Sequence, residues 1–398
     1  MKRTVILVLA SIAILVLLFL YMFLRGTWPA FGPPPNSDDT HDQTNLPLNL
    51  PPGFSIEIFA KDLPGARVIS PDPLGNLWVS QTSEGTISLL EIEDSKVVSQ
   101  SVIFRNLQKP HGLAFDPGEP TILYFAEEDK ILRVHTYSDE KPVKIADLPA
   151  GDGHYTRTIG FGPDGRLYVS VGSSCNVCHE SDSRRAKILS MEPDGSDVKE
   201  FARGLRNTVF FTWHPVTKAM WGTDMGRDLL GDDVPPDEIN VIADPLVSSG
   251  QNPTVPNFGW PTCYGKNIRD TEFDKNVYIR NPCMEPFETP SAIDVPAHSA
   301  PLGLTFVPRG STWPEEYRGD LLVAHHGSWN RSTPTGYKVV RYKFSDTGSY
   351  EGVEDFITGW LTREGALGRP VDIIVEAGGS MYLSDDKAGG IYKIAWRG

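Results

Sequence analysis

The stretch IGFGPDGRLYVSV at residues 159–171 joins two short apolar strands through a Pro-Asp-Gly turn. Proline presets the backbone angle at the start of such a turn, and glycine accepts the positive φ that the reversal requires. The same strand–turn–strand pattern, with an aromatic residue in the second strand, recurs about every 45 residues, with longer spacings near 243–300 and 327–372. The other copies lie at 68–81, 112–128, 211–224, 303–326 and 373–386, of which 112–128 and 303–326 are weaker.

This sixfold repetition predicts the fold of residues 53–398. Each copy is followed by another alternating strand, so one repeat supplies four strands. A unit of this size cannot bury the faces of its sheet alone, whereas a closed ring of such units buries them all. We therefore expect an all-β, six-bladed β-propeller with long inserted loops. A β-sandwich is the alternative, but a sandwich does not repeat one signature six times.

Composition excludes two broad classes of protein. The chain has 398 residues, of which 40% are hydrophobic and 22% charged, so it can bury a core and is not disordered along its length. Lys and Arg number 37 against 51 Asp and Glu, a formal net charge of −14. Nucleic-acid binders present a basic face, so this balance argues against that function. It suits a protein that holds cations such as Ca²⁺.

The N-terminal segment predicts the compartment. Residues 5–24 are almost entirely apolar, and twenty helical residues span roughly 30 Å, the thickness of the bilayer interior. Lys2 and Arg3 precede this run, so we expect residues 1–25 to anchor the chain with its bulk outside the cytoplasm, in the periplasm or at the cell exterior. A cleaved signal peptide and a secreted protein are the alternative. Residues 26–52 are rich in proline and predict an extracytoplasmic linker.

The four cysteines suit an exported protein, in which disulfides persist. Cys263 and Cys283 bracket a polar segment, and we expect a bridge between them. The run Cys-Asn-Val-Cys-His at 175–179 matches the attachment motif of c-type haem, yet no helical unit is at hand to enclose a haem. A local disulfide or thiol pair is therefore favoured, with haem and a zinc site of Cys175, Cys178 and His179 as alternatives.

Several loops between the predicted strands carry residues suited to chemistry. His154 lies in the glycine-flanked run GDGHYTR and can accept a proton near neutral pH. Arg206 and Asn207 end the run GLRN and offer hydrogen bonds to carbonyls and carboxylates. Oxygen ligands for Ca²⁺ are dense in the acidic stretch that follows, although a solvated acidic loop is the alternative. The candidate ligands there are Gly226, Arg227, Asp232, Asp233, Asp237 and Glu238.

Three further loops combine basic and aromatic residues that could clamp a flat, acidic cofactor. They are NFGWP at 257–261, HHGSWNR at 325–331 with Arg331, and GRPVD at 368–372 with Arg369.

Together, the segments GHYTR, GLRN, PPDEIN, FGWP and GRPVD resemble the pyrroloquinoline quinone (PQQ) sugar dehydrogenases, nearest to their L-sorbosone and aldose sugar dehydrogenase-like branch. The resemblance covers residues 53–398 and implies a six-bladed propeller. It implies that His154 is the general base for the anomeric hydroxyl and that Arg206 and Asn207 contact the quinone. It also implies that carbonyls of Gly226 and Arg227 hold Ca²⁺, and that Arg369 binds PQQ carboxylates.

The chain departs from the family pattern in its cations. Val371 stands where a second arginine is expected, and the cofactor-binding lysine has no clear equivalent, although His325, His326 and Arg331 lie near its place. PQQ carries three carboxylates, so we expect weaker PQQ binding than in a fully equipped relative. We also expect Val371→Arg to tighten it.

The resemblance implies oxidation of an aldose-type sugar at C1, with hydride passed to PQQ and electrons to a respiratory acceptor. The partners would thus be a sugar, the membrane and that acceptor. Two alternatives from other classes stay open. One is a Ca²⁺-dependent propeller hydrolase such as a lactonase, and the other is a non-enzymatic, Ca²⁺-stabilised propeller that binds a partner through its loops.

Overall fold

A computed structural model describes residues 42–243, 255–284 and 288–398. Six four-stranded antiparallel sheets form the blades of a β-propeller, as the repeat predicts. The first strand, β1, is Phe54–Ala60. Blade 1 follows with β2 (Ala66–Pro71), β3 (Leu77–Gln81), β4 (Thr86–Glu93) and β5 (Lys96–Phe104). Blade 2 contains β6 (Leu113–Phe115), β7 (Ile122–Ala126), β8 (Lys130–His135) and β9 (Val143–Asp147). Blade 3 contains β10 (Ile159–Phe161), β11 (Leu167–Val171), β12 (Lys187–Met191) and β13 (Lys199–Arg203).

The second half of the ring carries the insertions. Blade 4 contains β14 (Thr208–Trp213), β15 (Met220–Asp224) and β16 (Asp237–Ala243); the hairpin β17 (Cys263–Tyr264) and β18 (Ile268–Arg269) precedes its outer strand, β19 (Ile293–Val295). Blade 5 contains β20 (Pro301–Phe306), a 3-10 turn at Glu315–Tyr317, β21 (Leu321–His325), β22 (Lys338–Phe344) and β23 (Tyr350–Ile357). The hairpin β24 (Leu361–Thr362) and β25 (Gly365–Ala366) leads to blade 6, which has β26 (Pro370–Val375), β27 (Met381–Asp385) and β28 (Gly390–Trp396).

The ring is closed by its two ends. Strand β1 pairs antiparallel with β28, with Phe54 opposite Trp396, so the first strand is the outer strand of the last blade. Pairing of the first and last strands leaves no gap between blades 6 and 1.

Burial explains why the second strand of each repeat carries the sequence signature. Strands β3, β7, β11, β21 and β27 are buried at every residue. Each lies in mid-blade between two neighbouring blades, so both of its faces are buried and most of its residues are apolar or small, apart from terminal polar residues such as Gln81, His325 and Asp385. The turn before β11 has the predicted geometry, with Gly165 at a φ of 81°. Local sequence thus dictates each hairpin, and the buried strands join the blades.

The folded part begins earlier than residue 53. Leu48 is only 7% exposed and packs in an apolar cluster with Phe356 and Trp360, and Asn49 pairs with Thr358. The part of the predicted linker at 42–52 is therefore packed on the propeller, which corrects the boundary. The predicted anchor and the rest of the linker lie outside the described residues. Within the described ranges, no helix is long and apolar enough to cross a membrane.

Strand direction assigns the loops to two ends of the ring. In an antiparallel sheet, the start of the first strand and the end of the second lie at the same end. The loops that lead into the inner strands β10, β14 and β26 therefore meet the loops that follow β11, β15 and β27. This shared end carries every candidate residue discussed below.

Candidate functional site

His154 lies in the loop that leads into β10 and is fixed by the loop that follows β11. Its main-chain N–H donates to the carbonyl oxygen of Ser173 at 3.0 Å, and its Nδ1 lies 3.0 Å from the same oxygen and from the Ser173 hydroxyl. A carbonyl oxygen only accepts, so this contact favours the tautomer with hydrogen on Nδ1 and a lone pair on Nε2. Among the described residues, Nε2 has no hydrogen-bond partner.

The electrostatic surroundings keep His154 neutral. Burial, followed by the positive charge of Arg206, lowers the pKa of the imidazole to about 3. A neutral ring with an unpaired Nε2 is the form of histidine that accepts a proton.

His154 and Asn207 meet at one point beside Gly172. A Cβ built on Gly172 would lie 2.7 Å from the His154 Cβ and 2.8 Å from the Asn207 Oδ1. That Oδ1 is buried and, among the described residues, accepts no hydrogen bond. A buried polar atom without a partner is unusual and is accounted for where a ligand supplies the missing donor.

Arg206 is 5% exposed, and acceptors surround its guanidinium. Nε donates to the Asn176 carbonyl and Nη2 to the Asn176 Oδ1, each at 2.9 Å. Nη1 donates to the carbonyls of Met225 at 3.2 Å and Gly226 at 2.9 Å, and Nη2 lies 3.3 Å from an Asp228 carboxylate oxygen. The charge of Arg206 is therefore held in one orientation next to His154.

The loop that positions Arg206 is itself closed by a disulfide. Asn176 lies between Cys175 and Cys178, which are bonded to each other, as is the predicted pair Cys263 and Cys283. The local disulfide is thus the correct interpretation of the motif at 175–179. Its sulfur atoms are not thiolates, so the haem and zinc alternatives are wrong.

Asp224, at the end of β15, holds the backbone of Arg206 and Asn207. Its carboxylate accepts the N–H of Arg206 at 3.1 Å, the N–H of Asn207 at 2.9 Å and the Thr208 hydroxyl at 2.8 Å. Burial raises the pKa of Asp224 to about 7, against the opposing effect of these hydrogen bonds. Asp224 therefore holds the main chain of Arg206 and Asn207 in position.

The carboxylates predicted as calcium ligands do not converge. Asp237 accepts the N–H groups of Gly226 and Ala300, each at 2.9 Å, whereas Glu238 accepts the Gly265 N–H at 2.6 Å. Neighbouring residues of a strand point to opposite faces, so these two cannot share an ion. Asp232 and Asp233 lie outside the strand and bind a different loop.

That loop contains Arg331. Its Nη1 donates to the Asp232 carbonyl and its Nη2 to an Asp233 carboxylate oxygen, both at 2.7 Å. The structure therefore places Arg331 between two loops, away from Arg369. As a set, the four predicted carboxylates do not fit a calcium cage. Within the described chain, the groups of three potential ligand atoms within 4.8 Å of one another are Cys175–Cys178–Glu180 and Cys263–Cys283–Glu288. The sulfurs of both groups are disulfide-bonded.

A basic cavity of about 590 Å³ lies at the same end of the ring, among blades 1, 2, 5 and 6. Arg369 lines it and is anchored by donating to the carbonyls of His326 at 3.2 Å and Gly327 at 2.5 Å. Tyr155, next to His154 in sequence, also lines it, so the cavity reaches the loop that carries the candidate base. Its other charged residues are Arg67, Lys109, Asp386 and Lys387.

The sequence patterns point to Lys387, which follows the segment GRPVD after β27, but they do not single out Arg67 and Lys109. Arg67 is the second residue of the inner strand of blade 1, and Lys109 lies in the loop that leads into the inner strand of blade 2. Both therefore lie near the start of an inner strand, as His154 and Arg206 do in their own blades. An alignment of the repeats by those positions would have found them.

Val371 corrects the expectation about the second arginine. It is 0% exposed and packs with Val68, Leu302 and Leu304 in the apolar core. An arginine there would enter this core instead of the cavity, so Val371→Arg would destabilise the fold and would not tighten cofactor binding.

Comparison with known proteins identifies the family. The sequence model of the TrAA12-like family matches residues 48–397, and the chain belongs to this family of PQQ sugar dehydrogenase-like propellers. An uncharacterised protein of Borreliella burgdorferi is 34% identical over 366 residues, which cover 87% of this chain and 90% of that protein.

Characterised relatives are more distant. The pyrroloquinoline quinone-dependent pyranose dehydrogenase of Coprinopsis cinerea is 25% identical over 416 residues; the match covers 88% of this chain and 55% of that protein, so this chain spans about half its length. The holo form of its PQQ domain superposes with a TM-score of 0.73 at 21% identity, covering 89% of this chain and 98% of that domain. The calcium structure of a Trichoderma reesei carbohydrate-active enzyme of family AA12 gives 0.75 at 18% identity, covering 90% and 99%. These superpositions establish the shared fold.

Proposed function

We propose that the protein is a PQQ-dependent dehydrogenase that oxidises an aldose-type sugar at C1. The observation that carries this proposal is the neutral His154, whose Nε2 is unpaired within the described chain. It lies beside Asn207 and Arg206, on a loop whose Tyr155 lines a basic cavity. The relative from Coprinopsis cinerea, a PQQ-dependent pyranose dehydrogenase, supports the same class of reaction.

The residues present fit PQQ. The cofactor carries three carboxylates, and the cavity concentrates arginine and lysine in a chain of net charge −14. The buried Asn207 Oδ1 is unpaired among the described residues and could accept a hydrogen bond from a ligand beside His154. Arg369 and the other cavity cations would hold the carboxylates, and Asn207 with Arg206 would lie at the reactive end.

When bound, PQQ supplies a quinone that accepts two electrons as hydride from the sugar C1. His154 accepts the proton of the sugar C1 hydroxyl on Nε2, while its Nδ1–H remains bonded to Ser173. Arg206 supplies fixed positive charge beside this reaction, and the Asn176 loop prevents it from reorienting. The sugar loses one hydride and one proton and becomes a lactone.

Ca²⁺ remains a proposed second cofactor through backbone carbonyls. With the carboxylate set excluded, the carbonyl oxygens of Gly226 and Arg227 are the ligands that the proposal retains. Asp237 holds the Gly226 N–H, which fixes this turn. The family AA12 enzyme of Trichoderma reesei, which has a calcium structure, supports keeping the ion in the proposal.

Anchoring by residues 5–24, an extracytoplasmic location and transfer of electrons to a respiratory acceptor are further parts of the proposal. Two disulfides suit an oxidising compartment.

The test is reconstitution of the full-length protein with PQQ in excess Ca²⁺. We expect a shifted absorption spectrum of PQQ on binding and dye reduction with aldoses only when PQQ is present. No binding of PQQ, together with hydrolysis of a lactone panel, would replace the proposal with a propeller lactonase. Neither activity nor PQQ binding would favour a non-enzymatic binding propeller.

A further inference from the structure

The basic cavity is lined mainly by positive side chains, although the chain as a whole has a net charge of −14. Four cationic side chains line it, from Arg67, Lys109, Arg369 and Lys387, with the carboxylate of Asp386 in the lining and that of Glu128 paired with Lys109. They come from three different blades, so only ring closure brings them together. Positive charges gathered around one cavity repel one another, and binding of a polyanionic ligand relieves that repulsion.

Arg67 is preorganised in this cavity. Its Nη1 lies 2.7 Å from an Asp386 carboxylate oxygen, and Asp386 also lies 2.9 Å from the His326 Nε2. The side chain of Arg67 is 11% exposed, and its Nε–H has no acceptor among the described residues. Since the salt bridge uses Nη1 and Nε is buried, the Nη2 donors of Arg67 are the ones available to a carboxylate.

Lys109 lines the cavity and contacts the loop that carries the candidate base. Its Nζ lies 2.8 Å from a Glu128 carboxylate oxygen and 4.7 Å from the ring centre of Tyr155, the residue after His154. Its side chain is 44% exposed, so it faces the open cavity instead of the core. Glu128 holds the ammonium group at this edge, and the Tyr155 ring stabilises its charge.

We propose that Arg67 and Lys109 bind carboxylates of PQQ, together with Arg369. They would supply the positive charge that the family pattern places at position 371 and at a lysine, neither of which this chain has. The inference rests on the proposed function, since it requires PQQ as the ligand.

The experiment is calorimetric titration of PQQ into the full-length protein in excess Ca²⁺, with Arg67→Gln and Lys109→Gln. Loss of a charge-assisted hydrogen bond corresponds to about 10- to 100-fold in dissociation constant, which we expect for Arg67→Gln. For the more exposed Lys109, we expect about 3- to 10-fold.

The matched control is Arg309→Gln. Arg309 also pairs with an aspartate, Asp346 at 3.6 Å, but it lies in the loop between β20 and β21 at the other end of the ring. It removes the same charge, so PQQ affinity should stay at the wild-type value. Melting temperatures report on folding, and if Arg67→Gln does not fold, Arg67→Lys replaces it with an expected weakening of about 3- to 10-fold.

Added NaCl gives a second readout, because screening should weaken PQQ binding less in Arg67→Gln than in wild type. If wild type binds PQQ and either variant binds it equally well, the inference is overturned. If wild type itself does not bind PQQ, the proposed function fails instead.

Discussion

Gly172 provides a direct test of the site, because two candidate residues meet where its side chain would be. Its backbone φ lies outside the left-handed region, so alanine is compatible with the main chain. The added methyl group would lie 2.7 Å from the His154 Cβ and 2.8 Å from the Asn207 Oδ1. Non-bonded carbon atoms prefer about 3.5–4.0 Å, so His154 and Asn207 must each move by roughly 1 Å in Gly172→Ala.

The displacement should affect stability and activity differently. Overpacking of this kind costs about 1–3 kcal/mol in the free energy of unfolding. Misplacement of a reacting group by about 1 Å lowers turnover by roughly 100-fold. We therefore expect a folded variant with a modestly lower melting temperature and a much larger loss of PQQ-dependent dye reduction.

Gly310→Ala is the control. Gly310 also has an ordinary φ, and a Cβ there would meet no atom within 4 Å. It reproduces the change from glycine to alanine without the contact, so its turnover should equal that of wild type. Wild-type turnover and PQQ affinity in a folded Gly172→Ala protein would refute the arrangement of His154 and Asn207 around this point.

Three other perturbations test the remaining parts of the argument. His154→Ala should lower turnover by about 10²- to 10⁴-fold without changing PQQ affinity, and unchanged dye reduction would remove its role as base. Glu288 is 3% exposed, its carboxylate oxygens have no hydrogen-bond partner among the described residues, and burial raises its pKa to about 9. The unfolded chain therefore loses this proton first, and the free energy of unfolding falls as pH rises from about 4 to 9. Glu288→Gln should melt higher than wild type at pH 8 and equally at pH 4, and equal melting at both would count against this account. Chelation should lower the melting temperature of the protein, and added Ca²⁺ should restore it. Asp233→Asn should respond to Ca²⁺ as wild type does, because Asp233 binds Arg331 and not the ion. If Asp233→Asn abolishes the response of the melting temperature to Ca²⁺, the carboxylates are ligands of the ion after all.

Local pattern sufficed for the parts of the molecule that are local in sequence. Each hairpin has its own turn and its own apolar strand, so the number of blades follows from the sequence repeats alone. The glycine-flanked His154 and the pair Arg206–Asn207 could likewise be chosen from their loops. The structure brings these three residues together at one end of the ring.

Other features depend on where strands point and which blades meet. The density of acidic residues predicts Asp237 and Glu238 as ligands of one ion, yet as neighbours within β16 they point to opposite faces of the sheet. Val371 is buried because it lies in the inner strand β26, whose position in the ring places it in an apolar cluster with residues of other blades. Arg67 and Lys109 are distant from Arg369 in sequence, and only the closed ring makes them neighbours.

The pairing of β1 with β28 also sets an order of events during synthesis. Ser55 and Arg397 are hydrogen-bonded across 342 residues of chain, so blade 6 cannot form until the C-terminal strand is available. Contacts of such long sequence separation are slow to form, and until then the growing chain has unpaired strand edges that favour aggregation. Truncation of the last strand should therefore abolish the soluble protein while leaving every candidate site residue in place in the sequence.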